Sequence, residues 1–339
     1  MAEIALKWTS AAGNIQGRGW INSFTPFSRF PASAKSIVPD DVWTLGLQST
    51  GLFTCFETDS SCIHVAWELG SDKLCHPHMP STSSSGLDLY RQDVDNVWKW
   101  LGLVYPDNPG VNSKIISYGI KPGRAKYMLY LPLLNIIKSL SIGVESRAYF
   151  EFGAASTKKP ITYYGTSIVH GIAASRAGNC HTAILSRRLN TNIINLGFSG
   201  RGKMESSLAE LISGIDTQLY IIDCLPNMDA SLIVERAKTF LDILFEKKPD
   251  TPVLLVEDRT YANSWAIPFF KERNESNRRA LSQIYLAVKQ GNKYPIHYLK
   301  GENLLGDTTE ASVDGSHPND LGFVRLADSM ESVIKAIIN

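Results

Sequence analysis

Short stretches far apart in the chain carry the residue types of acyl-group chemistry. In Ile161-Thr162-Tyr163-Tyr164-Gly165-Thr166-Ser167 a β-branched and aromatic run ends at a glycine, where the chain can turn sharply, and a serine follows. A serine hydroxyl is a poor nucleophile until a base takes its proton. A histidine serves best when a carboxylate fixes its tautomer and steadies the imidazolium. Asp314-Gly315-Ser316-His317-Pro318 supplies both groups in one tight turn near the C-terminus. Attack on a carbonyl also needs donors aimed at the developing oxyanion. The backbone N–H of Ser167 is one such donor. Gly200, in Asn195-Leu196-Gly197-Phe198-Ser199-Gly200, offers a backbone N–H that no side chain obstructs, and Asn227, in Asp223-Cys224-Leu225-Pro226-Asn227-Met228, offers a side-chain amide. Taken singly, each is ordinary turn chemistry: a serine or aspartate that caps, a glycine or asparagine that turns. Their coincidence at successive strand ends is what points to a site.

The elements that must position these groups are legible in the apolar pattern. Strand-like runs at 161–165, 192–196, 218–223, 252–257 and 295–299 alternate with helical patterns. One helix carries Ile233, Ala237, Phe240, Leu241 and Leu244 on a single face; the last carries Leu326, Ala327, Met330, Val333, Ile334 and Ile337. Such alternation predicts a parallel sheet covered on both faces, with ligands bound beyond the carboxyl ends of its strands. Earlier in the chain the grammar differs. Six of the seven tryptophans precede residue 101, and Ile63, Val65, Trp67 and Leu69 alternate with His64, Ala66 and Glu68 in the period of a half-buried strand. Further short runs lie at 87–91, 97–104, 127–131 and 140–144, with a hairpin turn over Gln92-Asp93-Val94-Asp95-Asn96. Residues 1–155 therefore read as an antiparallel β-sandwich, Thr157-Lys158-Lys159-Pro160 as a linker, and 160–339 as an α/β domain.

Composition narrows the ligand. The 339 residues carry 34 Lys plus Arg against 33 Asp plus Glu, and no basic run is interleaved with aromatics, which argues against a nucleic-acid or anionic-membrane partner. A small neutral molecule is the expected partner, and a homo-oligomer stays open. The start lacks a basic segment followed by an apolar one, so the expected compartment is the cytoplasm, or an exported one if a signal peptide has been removed. Five scattered cysteines without C-x-x-C spacing read as reduced thiols. No cofactor is expected, since a Ser-His-Asp set works without one.

Other residues attract secondary readings. His76 and His78, in Cys75-His76-Pro77-His78-Met79, form an H-x-H pair without a nearby acid; no metal is expected there, and the better functional reading is a sandwich-domain loop at the active-site mouth. Glu257, Asp258 and Arg259 follow the fourth strand of the α/β part. Glu257 and Arg259 are candidates for substrate contact, with an internal ion pair or a solvated loop as the plain alternative. His170, close to the nucleophile, is a candidate for shaping the pocket. His181 reads as a helix residue that packs or faces solvent, and Cys224 as a small core residue.

Ser167, Gly200, Asn227 and His317, in this order, resemble the four marker residues of the SGNH (GDSL-type) hydrolases, with Asp314 completing a D-x-x-H element. The resemblance implies a flavodoxin-like α/β/α fold over roughly 160–339. It is closer to a bacterial subgroup with an N-terminal β-sandwich, carbohydrate esterase-like members included, through YGTSI, INLGFSG, DCLPN and DGSHPNDLGF. Two positions depart from the usual pattern: Thr166 stands where G-D-S has aspartate, and Leu225-Pro226-Asn227-Met228 stands where G-x-N-D is usual. Neither change removes a proton-transfer group or an oxyanion donor, while the support of both turns and the substrate class are left open. What the resemblance implies is a serine esterase that hydrolyses an acyl ester, an acetyl on a carbohydrate by preference. Acyl transfer to an alcohol, or glycan binding without catalysis, are the alternatives.

Overall fold

A computed structural model describes residues 5–291 and 293–338. The chain forms two compact units: one takes the chain up to Pro31, Gly46–Thr157 and Ser175–Gly178, and the other takes Ala32–Leu45, Lys158–Ala174 and the chain from Asn179. A single cut near residues 155–160 therefore misses two exchanged segments, each of which has partners within its own unit. In the second unit, Arg201 pairs with Asp41. In the first, the Asp88 carboxylate accepts from Arg176 Nη1 (2.9 Å), Gly178 N (2.8 Å) and Trp100 Nε1 (3.0 Å).

The first unit is built from β1 (Leu6–Ser10), β2 (Phe53–Thr58), β3 (Cys62–Leu69), β4 (Leu87–Gln92), β5 (Trp98–Val104), β6 (Val111–Tyr118), β7 (Ala125–Tyr130), β8 (Ile137–Glu145) and β9 (Phe150–Phe152). They pair as two antiparallel sheets, ordered β1-β8-β3-β6 and β5-β4-β7-β2-β9. The alternation in β3 is realised: Ile63, Val65, Trp67 and Leu69 are buried, while His64, Ala66 and Glu68 are half-buried. Those four side chains join Phe56, Leu87, Leu89, Tyr127 and Leu129 from the other sheet in one core, as a sandwich requires.

In the second unit the parallel strands are β10 (Ile161–Gly165), β11 (Ile193–Gly197), β12 (Leu219–Asp223), β13 (Val253–Val256) and β14 (Ile296–Leu299), in the order β11-β10-β12-β13-β14. Counted within the unit this order is 2-1-3-4-5, the flavodoxin-like arrangement, whose switch point lies beside its first strand. Helices α1 (Asp40–Gly46) and α2 (Ser81–Ser84) precede the sheet in sequence; α3 (Ser167–His170), α4 (His181–Leu189), α5 (Ser206–Ile212), α6 (Ala230–Lys247), α7 (Pro268–Gln290) and α8 (Asp320–Ile338) connect or follow its strands. Helix α4 packs on α8, while α6 packs between α5 and α7. Right-handed crossovers put these two groups on opposite faces of the sheet. The face foreseen for α6 is buried as a block, Ile233, Ala237, Phe240, Leu241 and Leu244, each large side chain contributing about 1.5–3 kcal/mol. In α8 Leu326, Ala327, Met330 and Ile334 are buried, whereas Val333 and Ile337 sit at the margin.

Two glycines let the sheet end close around the turn after β10. Gly165 faces Gly197 on one side and Asp223 on the other in the parallel register. A Cβ at Gly197 would lie 2.0 Å from His170 N, and one at Gly165 would lie 2.4 Å from Asp223 O. Backbone atoms cannot swing aside as a flexible side chain can. Gly197→Ala is therefore expected to lower stability by about 1–3 kcal/mol, the usual scale of overpacking. A urea melt measures it, and an unchanged midpoint would mean that the α3 turn can retreat without penalty.

Candidate active site

Ser167 opens the short helix α3 immediately beyond β10. Thr166, fully buried, is its N-cap, and the Thr166 side chain accepts from Ile168 N. The threonine thus caps the turn, as an aspartate at this position could, because either side chain can place an oxygen over the first free N–H groups. Ser167 is 6% exposed, so very little of the residue reaches the surface.

The C-terminal turn brings the other two groups to it across 150 residues of sequence. Ser167 Oγ and His317 Nε2 lie 2.8 Å apart, and His317 Nδ1 lies 2.7 Å from Asp314 Oδ2. The second Asp314 oxygen accepts from Ser316 N (3.0 Å) and His317 N (2.8 Å), so the carboxylate is held by the turn it helps to form. Val313 N donates to His317 O and Ala262 N donates to Gly315 O, fastening that turn at both ends. Partial burial pushes the Asp314 carboxyl up. Hydrogen bonds from the His317 N–H, the His317 ring and the Ser316 N–H outweigh it and hold the group below the ordinary 3.8.

That shift has a definite sign. The folded state binds the Asp314 proton less tightly than the unfolded chain, so the carboxylate's contribution is present above the unfolded value and lost as pH falls through the lowered folded one. The stability margin of the wild type over Asp314→Asn should therefore be present above about pH 4 and shrink on further acidification. With 46% of the side chain exposed the margin is small. Urea midpoints taken across the acid range test this, and a margin that widens toward low pH would reverse the assignment.

Around the serine, the turns after β11 and β12 supply amide groups. Gly200 adopts a left-handed backbone (φ +73°), and its N–H takes no partner among the described residues. Asn227 closes a three-residue helical turn after β12, where its Nδ2 donates one hydrogen to Arg201 O at 2.6 Å. An amide nitrogen has two hydrogens, so one remains for a ligand. The Arg201 carbonyl belongs to the loop that carries Gly200, which ties the two turns together.

The remaining sequence candidates divide. His170 is fully buried and its Nδ1 accepts from Ser199 N (3.3 Å), so it braces the loop before Gly200 rather than facing a ligand. Glu257 and Arg259 are corrected likewise. Glu257 accepts from Tyr298 OH (2.6 Å) and Gly301 N (2.7 Å), while Arg259 pairs with Asp223 at the end of β12, where Tyr163 OH also donates (3.0 Å). Both side chains are buried and paired inside the domain, for a buried charge without a partner is too expensive to keep. Burial lowers the Arg259 pKa, but the Asp223 charge, joined by Tyr163, Asp258 and the hydrogen bond to Asp223, raises it on balance and keeps the guanidinium protonated. Burial also pushes the Asp258 carboxyl up to about 6, against the pull of Arg259 and Arg273. His76 lies in a first-unit turn where His76 and Met79 exchange backbone hydrogen bonds, with His78 exposed. No group of three or more His, Cys, Asp or Glu side chains among the described residues is arranged to hold a metal ion. His181 is buried, stacked on Phe323, and Cys224 is core. What the sequence did not announce is Arg273 of α7, whose guanidinium holds the carbonyls on both sides of Asn227.

The family model of GDSL-like lipases and acylhydrolases matches residues 158–335, which include Ser167, Asp314 and His317. The chain belongs to the GDSL-like lipase/acylhydrolase family. As a member it is an acyl-ester hydrolase in the broad sense. A second model, GxDLY, the N-terminus of SGNH-hydrolase-type esterases, matches residues 6–150. Gly86-Leu87-Asp88-Leu89-Tyr90 spells that signature, and it includes the buried Asp88 that binds Arg176, Gly178 and Trp100. Among solved structures, the chain is 31% identical to a protein from Bacteroides ovatus ATCC 8483 provisionally named a GDSL-like lipase, at TM-score 0.93 and 98% coverage of both chains. It is 20% identical to the salicylyl-acyltransferase of a tetracycline biosynthetic pathway, at TM-score 0.76, covering 99% of this chain and 96% of that one. A family two carbohydrate esterase from Clostridium thermocellum, solved with cellohexaose, is 13% identical at TM-score 0.59, covering 85% and 92%. These last two likenesses concern the fold. No curated protein matches the chain.

Proposed function

We propose that this acylhydrolase is a serine esterase that removes an acyl group, acetyl by preference, from a carbohydrate. The observation that carries the reading is the unbroken chain from Ser167 Oγ through the His317 ring to Asp314, with contacts of 2.8 and 2.7 Å. Ser167 attacks the ester carbonyl as His317 Nε2 takes its proton; Asp314 holds the ring in the tautomer that can do so and steadies the imidazolium. The tetrahedral oxyanion is met by the N–H groups of Ser167 and Gly200 and by Asn227 Nδ2. His317 then returns the proton to the departing alcohol, and water, deprotonated by the same ring, hydrolyses the acyl-enzyme. An oligosaccharide ester is favoured by the sandwich unit and by likeness in fold to an esterase solved with cellohexaose.

A second reading has its own support. The salicylyl-acyltransferase shares the fold over 99% of this chain, and acyl transfer to an alcohol needs the same residues with water excluded from the acyl-enzyme. Release of p-nitrophenol from p-nitrophenyl acetate, absent in Ser167→Ala, tests the esterase chemistry. A panel of acetylated sugars, each with and without an acceptor alcohol, then separates the two. Acetate as the sole acyl product with the acceptor present supports hydrolysis, and a dominant new ester supports transfer. No turnover of any ester would leave glycan binding as the function.

A further inference from the structure

Helix α7 reaches the Asn227 turn with two side chains. Arg273 Nη2 donates to Pro226 O at 2.9 Å and to Met228 O at 2.8 Å, the carbonyls on either side of Asn227. One turn further along the helix, Asn277 Nδ2 also donates to Met228 O (3.0 Å). The other arm of the guanidinium, Nη1, donates to Asp258 Oδ2 at 3.1 Å, and that carboxylate is only 4% exposed. The Arg273 fork is thereby fixed against the loop after β13 while it grips the loop after β12.

We propose that Arg273 is a positioning residue for the oxyanion hole, setting the direction in which the Asn227 amide points. The proposal rests on the reading of Asn227 as an oxyanion donor. Asn227 sits in a turn of only three residues, with Pro226 providing no N–H. The turn's own bonds are Asn227 N to Cys224 O (3.2 Å) and Met228 N to Leu225 O (3.0 Å), and they leave the Pro226 and Met228 carbonyls to Arg273 and Asn277. At the side-chain end, one amide hydrogen is committed to Arg201 O. The second hydrogen then points wherever the backbone carries Asn227, and the backbone is where the guanidinium acts. Met228 occupies the position where G-x-N-D has a carboxylate, so support for the turn comes from another element. A planar fork can take two carbonyls and a carboxylate at once in fixed geometry; a lysine ammonium offers a point charge on a flexible stem.

The full chain would be assayed on p-nitrophenyl acetate as wild type, Arg273→Met, Arg273→Lys, Asn227→Ala and Arg273→Met/Asn227→Ala, with Ser167→Ala as the blank and a melting temperature for each. Misplacing a catalytic group by about 1 Å can lower the rate roughly 10²-fold, so Arg273→Met should lose about 10- to 100-fold in kcat with KM within about twofold. Arg273→Lys should fall between it and the wild type. In the Asn227→Ala background Arg273→Met should add little, within about threefold, since two residues acting through one donor are not additive. Fully multiplicative losses, or a lowered melting temperature with kcat unchanged, would overturn the proposal. Should Arg273→Met not fold, Arg273→Lys carries the test, and wild-type kcat in that variant overturns it. If wild-type turnover equals that of the Ser167→Ala blank, it is the esterase reading that fails, and this shows before any Arg273 variant is compared.

Discussion

Ser167→Ala and His317→Ala should each lower kcat by about 10⁴ to 10⁶ while the protein stays folded. The size follows from the linkage of the groups. The hydroxyl has no use without the base, and the base has nothing to deprotonate without the hydroxyl, so removing either one approaches the loss of the set. The fold should survive because the substitutions are small relative to what holds the site. Ser167 loses one hydrogen bond, to His317, while its turn remains capped by Thr166 and seated against Gly197. Asp314→Asn should cost less. An asparagine oxygen can still accept from Ser316 N and His317 N, which keeps the turn, but its amide cannot steady an imidazolium. The check is burst and steady-state kinetics on p-nitrophenyl acetate, in preparations freed of host esterases, with circular dichroism for the fold. Near-wild-type turnover in Ser167→Ala would require another nucleophile.

The sequence was most informative where chemistry and backbone geometry coincide. Strand β10 ends at Gly165, as the run Ile161–Gly165 suggested, because a buried central strand is apolar along its length and stops where a Cβ would strike its neighbours. The proximity of Ser167 and His317 could be inferred from order, since both follow turns at one end of a parallel sheet. Glu257 and Arg259 were ambiguous for a physical reason. A charged pair at a strand end reads the same whether it meets solvent or internal partners, and the partners that decide it, Asp223 for Arg259 and Tyr298 and Gly301 for Glu257, lie elsewhere in the sequence. Helix α7 was invisible to apolar periodicity because part of its buried face is polar. Asn274, Asn277, Ala280 and Leu281 are the buried residues, and the asparagines there serve loop carbonyls rather than a hydrophobic core. Strand β6 was missed for the opposite reason. Val111, Ile115 and Tyr118 point outward, so its pattern carries no clean alternation of apolar inside and polar outside.

Asn227→Ala should lower kcat by about 10² to 10³, equivalent to roughly 2.7–4 kcal/mol of transition-state stabilisation, with little change in KM. The asymmetry follows from when the charge appears. A ground-state ester carbonyl is a weak acceptor that gains modestly from one amide N–H, whereas the tetrahedral oxyanion carries a full charge and gains much more, so the loss falls on the chemical step. With the N–H groups of Ser167 and Gly200 as the other proposed donors, two would stay in place, which is why the expected loss is smaller than that for Ser167 or His317. The substitution also frees Arg201 O from the bond it accepts at 2.6 Å. Arg201 is only half-buried, and one neutral hydrogen bond contributes about 0.5–1.5 kcal/mol net, so the effect on folding should be minor. Asn227→Asp is the sharper companion. It keeps the shape of the side chain but replaces the donor with a carboxylate that repels the oxyanion, so its kcat should fall below that of Asn227→Ala. Equal losses in the two variants would mean that Asn227 acts through the shape of its turn, and a large rise in KM with kcat intact would make it a substrate-binding residue.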